Sequence, residues 1–133
     1  MTKILIVDDD PIVRAMLKDV LTQASFIVQL ASNGNEALDI ILSSSPDLVL
    51  LDIEMPGMNG IDVLKKIRLQ RETRRLPVMF LTGAPLDPTR TVEVLELDPD
   101  DIVTKVISSK ELVARIQWVL RRHELDRQEE RSR

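Results

Sequence analysis

Five short apolar runs alternate with five stretches of helical periodicity along this chain, and that alternation limits its fold more than any other feature. Ile4-Leu5-Ile6-Val7, Phe26-Ile27-Val28, Leu48-Val49-Leu50-Leu51, Val78-Met79-Phe80-Leu81 and the run from Asp101 to Thr104 read as strands. Asp10-Pro11 and Asp87-Pro88 each read as a helix cap followed by proline at the first helical position. Ile12, Val13, Met16, Leu17, Val20, Leu21 and Ala24 form the apolar stripe expected of the first helix. Asn33-Gly34 opens a second, with Ala37, Leu38, Ile40, Ile41 and Leu42 on its apolar side and Pro46 as its stop. Ile61, Val63, Leu64 and Ile67 carry a third, a short polar helix spans about Thr89 to Leu97, and a last one begins near Ser109. Apolar strands in strict β-α order imply a parallel sheet covered by helices on both faces. Right-handed crossovers leave few topologies for it.

A chain of 133 residues is one ordinary domain. Its net charge of −4 argues against direct binding of nucleic acid. Phe26, Phe80 and Trp118 are the only aromatics, so there is no platform for stacking bases. With no cysteine there is neither disulfide nor thiolate chemistry, which suits a reducing compartment such as the cytoplasm. The apolar runs are too short to span a membrane.

Four of the five strand runs end in chemically active side chains. The first ends in Asp8-Asp9, the third in Asp52, the fourth in Thr82 and the fifth in Lys105. Open α/β sheets bind ligands at the carboxyl edge of their strands, so three carboxylates, a hydroxyl and an ammonium are expected to converge there. Each alone reads as a turn residue; together they suit phosphoryl chemistry. Asp52 is a candidate nucleophile towards phosphorus, and Asp8 and Asp9 suit Mg²⁺, which binds one or two carboxylates and keeps several waters. Lys105 adds positive charge, Thr82 a donor, and Gly83 leaves room beside that hydroxyl.

With these residues in place, the chain resembles the receiver domain of the two-component response regulators over residues 3 to 120. Val7-Asp8-Asp9 resembles the family's acidic pair, and the run from Asp47 through Asp52, Met55-Pro56-Gly57 and Asn59-Gly60 resembles its phosphoacceptor strand and loop. Thr82 and Lys105 fall at its switch hydroxyl and its lysine. The resemblance implies a single doubly wound, flavodoxin-like α/β sheet of five parallel strands in the order 2-1-3-4-5. It also implies phosphoryl transfer to Asp52 from a sensor histidine kinase or phosphotransfer protein. Mg²⁺ would sit on Asp9, Asp52 and the backbone carbonyl of Glu54, with Asp8 acting through a metal-bound water. A receiver catalyses only its own phosphorylation and dephosphorylation, so it is not an enzyme in the usual sense.

Three departures stand out. Val106 follows Lys105 where the family has a cis proline, so a trans bond is expected. Ile102 takes the position of an aromatic switch residue, and Asp98-Pro99-Asp100-Asp101 replaces a Gly-Ala turn. These leave open a pseudo-receiver that binds partners without phosphorylation. The rival enzyme reading is a phosphatase of the haloacid-dehalogenase type, with Asp8 as nucleophile and Asp10 as acid/base. Domain organisation reads as a receiver over 1–122 and a charged extension of the last helix over 123–133, with His123 solvated. Output is expected through a downstream protein or an effector domain lying beyond the chain, with the last helices offering a homodimer surface.

Overall fold

A computed structural model describes residues 1–132; Arg133, the end of the expected extension, lies outside the described residues. The strands are β1 (Lys3–Val7), β2 (Ile27–Ala31), β3 (Leu48–Asp52), β4 (Val78–Thr82) and β5 (Asp101–Thr104). The helices are α1 (Pro11–Gln23), α2 (Gly34–Ser44), α3 (Gly60–Leu69), α4 (Pro88–Glu96) and α5 (Ser109–Arg131). All strands pair in parallel, in the order β2-β1-β3-β4-β5. This is the doubly wound α/β sheet that the alternation demands. β2 begins a residue later than its apolar run and continues through Gln29 to Ala31, completing its pairing along β1.

Strand alternation divides the core into two layers. Leu5, Val7, Val49, Leu51, Val78 and Phe80 face α2, α3 and α4, while Ile4, Ile6, Leu48, Leu50, Met79, Leu81 and Val103 face α1 and α5. Asp10 caps α1 by accepting the Ile12 N–H at 2.9 Å, and Asp87 caps α4 through the Arg90 N–H at 2.8 Å. α2 ends not at Pro46 itself but at Ser45, a left-handed C-cap with φ 47°. α1 has more apolar residues than buried face: Leu17 and Leu21 are buried, whereas Ile12 and Met16 are exposed.

At the amino edge of the sheet, Asp98 adopts φ 53°, a left-handed turn that Asp tolerates without glycine. Asp100 then closes the sheet. Its N–H donates to the Val78 carbonyl at 2.8 Å, and its carboxylate accepts the Val78 N–H at 2.8 Å. The carboxylate also takes His123 Nε2 at 2.5 Å and has Arg68 at 3.7 Å. His123 is therefore not solvated: α5 continues unbroken past Leu120 and turns this ring back onto the sheet. Burial would raise the Asp100 pKa, but the His123 hydrogen bond, the Val78 N–H and the positive charges hold it below the usual carboxylate range. A depressed carboxylate stabilises the fold above its ordinary pKa, and that stability is lost as pH falls. Replacing His123 with Ala is expected to cost about 1.5–3 kcal/mol at pH 7, the range for hydrogen bonds to charged groups. The deficit should shrink as pH drops below about 4 in urea melts, as Asp100 protonates.

Candidate phosphoacceptor site

Register brings the acidic strand ends together. Val7 pairs with Leu51, so the next step along each strand sets Asp8 beside Asp52. Leu81 lies opposite Asp52, and Thr82 opposite Thr104, so Lys105 follows at the far side. Asp8 and Asp52 are buried at 0% and 1% exposure, while Asp9 stays open to solvent. Turn hydrogen bonds fix the two carboxylates: Asp8 Oδ1 accepts the Asp10 N–H at 2.9 Å, and Asp52 Oδ1 accepts the Glu54 N–H at 3.2 Å. Gly60 lies so close to the Asp52 carbonyl that a Cβ would collide with it, which is why the loop returns through a glycine.

The Lys105 ammonium lies 2.9 Å from Asp8 Oδ2 and 3.1 Å from Asp52 Oδ2. Its bond to Val106 is trans, since no described peptide bond is cis. The aim of Lys105 comes from the sheet, through its N–H to the Thr82 carbonyl at 2.9 Å. Burial alone would lower the Lys105 pKa, but its contacts with Asp8 and Asp52 outweigh that and raise it. Lys105 is the only described partner of Asp8 Oδ2 and Asp52 Oδ2, which are buried and take no other hydrogen bond. Asp8, Asp9 and Asp52 bring one oxygen each within 4.8 Å of one another. Hard carboxylate oxygens, two of them sharing a single ammonium and one group open to water, fit a divalent cation of the Mg²⁺ type.

Thr82 reaches the same edge, but its hydroxyl donates to the Ala84 carbonyl at 2.5 Å. A Cβ at Gly83 would meet nothing within 4 Å, so the space beside the hydroxyl is open. Asp10 is committed to capping α1, which removes the acid/base of the phosphatase reading. Two arginines had no sequence motif to announce them. Arg14 donates to the Asp8 carbonyl at 2.6 Å, and Arg90 lies 3.4 Å from the Glu54 carboxylate on the loop after β3.

The Asp52 pKa is pushed up from 3.8 to about 6, mainly by burial, with the Asp8 charge adding to it and Lys105 opposing. Between these values the folded protein binds a proton at Asp52 that the unfolded chain has released, so this residue's contribution to stability falls as pH rises from about 4 to about 6. In metal-free buffer, Asp52→Asn should be more stable than the parent by on the order of 1–3 kcal/mol at pH 7. The advantage should vanish near pH 4 in parallel urea titrations. An advantage independent of pH would assign the strain elsewhere.

Residues 4–117 match the sequence profile of the response regulator receiver domain. The chain is 44% identical to the transcriptional regulatory protein CpxR of Escherichia coli strain K12 over 134 aligned positions, 99% of this chain and 55% of that protein. It matches CpxR of Klebsiella pneumoniae equally, at 44% over 98% of this chain and 54% of the relative. The chain thus spans about half the length of these curated relatives. Among solved structures, a CheY-like receiver from Methanospirillum hungatei superposes with a TM-score of 0.87 at 27% identity, over 95% of this chain and 98% of that one. A response regulator from Chloroflexus aurantiacus gives 0.82 at 35% identity, over 90% and 97%.

Proposed function

This chain belongs to the response regulator receiver domain family, and from that premise we propose that Asp52 is its phosphoacceptor. The observation carrying the reading is a buried strand-end carboxylate held between Asp8 and Lys105, with one oxygen met by that lysine alone. A carboxylate oxygen of Asp52 attacks the phosphorus of a partner's phosphohistidine. The P–N bond breaks, its electron pair stays on the imidazole nitrogen, and Asp52 becomes an acyl phosphate. Lys105 balances charge gathering on the phosphoryl oxygens, since stabilisation of this reaction is largely electrostatic. Thr82 turns from the Ala84 carbonyl to donate to a phosphoryl oxygen. Mg²⁺ would be held by Asp9, Asp52 and the Glu54 backbone carbonyl, with Asp8 acting through a bound water, and would supply charge neutralisation among the three carboxylates.

In this reading the chain is a signalling switch, catalytic only towards its own phosphorylation state. Its donor is a sensor histidine kinase or phosphotransfer protein, and its output passes to a downstream protein or an effector domain. Residues 1–122 form the receiver unit, and α5 continues beyond it to Arg131. Trp118, exposed with the Arg122 guanidinium 4.8 Å from its ring centroid, suits a contact between α5 helices in a homodimer. No described helix is long and apolar enough to cross a membrane, and we place the protein in the cytoplasm.

Acetyl phosphate with Mg²⁺ should add one base-labile phosphoryl group by intact mass, and Asp52→Asn should gain none. An unlabelled parent would instead favour the pseudo-receiver suggested by Ile102. Mg²⁺ should raise the melting temperature of the parent by mass action on the folded state. Asp9→Asn should melt higher than the metal-free parent and lose that response; an unchanged response would remove Asp9 from the site.

A further inference from the structure

Glu54 and Arg90 connect the phosphoacceptor loop directly to α4. Arg90 sits in the first turn of α4, where its N–H is capped by Asp87, and its guanidinium lies 3.4 Å from Glu54 Oε1. Two residues back, the Glu54 N–H donates to Asp52 Oδ1. The bridge is therefore coupled to the reacting carboxylate through one short turn. Glu54 is largely exposed and Arg90 about a third so, and ion pairs this open contribute little to stability. Arg90 Nε is nonetheless buried with no hydrogen-bond partner, an unused donor beside the loop. α4 itself is lightly anchored: Val94 is its only fully buried residue, and Val92 and Leu95 face solvent.

We infer that Glu54–Arg90 is an exchange latch, in which a phosphoryl group on Asp52 takes Arg90 from Glu54 and draws the first turn of α4 towards the site. This rests on Asp52 being the phosphoacceptor. Adding negative charge beside Glu54 repels its carboxylate and attracts the guanidinium, which has a free Nε–H to offer. Arginine suits the exchange because its planar fork binds carboxylate and phosphoryl oxygens alike. The route needs no ring at Ile102. A modification shifts a two-state element only through contacts that differ between the states, and Arg90 supplies such a difference.

Beryllofluoride, a phosphoryl mimic, tests this by calorimetric titration with Mg²⁺ saturating. Arg90→Gln should weaken its binding about five- to tenfold, the loss of one charge-assisted hydrogen bond. Glu54→Gln should tighten it about two- to fivefold, because a competitor and a repelling charge are both removed. A merely structural ion pair would move both variants in the same direction. Glu93→Gln, which breaks the exposed Lys65 pair on the same helix, should leave affinity unchanged. In hydrogen exchange, the mimic should alter protection of residues 83–97 in the parent and in Glu54→Gln, but not in Arg90→Gln. Equal signs for the two variants, or a change in protection of residues 83–97 in Arg90→Gln as large as in the parent, would overturn the latch while Asp52 labelling stands. A parent that neither labels at Asp52 nor binds the mimic would remove the phosphoacceptor reading and the latch together.

Discussion

One ammonium group, Lys105, is shared by two buried carboxylates, and the arrangement of the carboxyl edge follows from that contact. At these separations a unit charge pair is worth on the order of 5–6 kcal/mol with an effective dielectric near 20. Two attractions oppose one repulsion, so the Coulomb sum is favourable. Against it stands the removal of two carboxylates from water, several kcal/mol for each ion. The raised Asp52 pKa is the visible remainder of that competition. A full set of donors would quench the carboxylate, and no cation at all would leave the edge too costly to fold. One lysine between them leaves Asp52 ionised near neutral pH yet short of partners.

The opposite edge of the sheet solves the same problem differently. Asp100 is also a largely buried carboxylate, but it has a backbone N–H, an imidazole and a nearby guanidinium. Its pKa moves down where that of Asp52 moves up. The contrast separates a structural acid from the proposed phosphoacceptor by hydrogen-bond supply, since both lie at strand ends next to turns.

The parallel sheet and the meeting of Asp8, Asp9, Asp52 and Lys105 were legible in the strand ends themselves, whereas the strand order came from the resemblance to receiver domains. Three details were less so. His123 looked solvated amid a charged tail, yet it continues the stripe of Ile116, Val119 and Leu120 at helical spacing, and that periodicity overrode composition. Ile12 and Met16 were counted as core because apolar residues outnumber the positions that α1 can bury. Thr82 reached the right edge with its hydroxyl on a neighbouring carbonyl, a choice of rotamer that no spacing encodes. The Glu54–Arg90 pair joins the loop after β3 to the first turn of α4, and periodicity along the sequence does not report such a pair.

The two edges together determine what α4 can do. Its carboxyl end runs into Asp98, whose left-handed turn leads within two residues to the satisfied Asp100 cluster. Its amino end leads from the unsatisfied edge, through the open space at Gly83 and the Asp87 cap. Between them only Val94 is fully buried. An element fixed firmly at one end and lightly along its length can pivot there at little cost in buried area. Charge added at Asp52 would act first at the amino end of α4, where Arg90 pairs with Glu54. With Ile102 where the resemblance to receiver domains leads one to expect a ring, a response at that end of α4 would need no rotating side chain inside the sheet. It would need a charged side chain on the helix next to the loop after β3, and Arg90 is paired with Glu54 there.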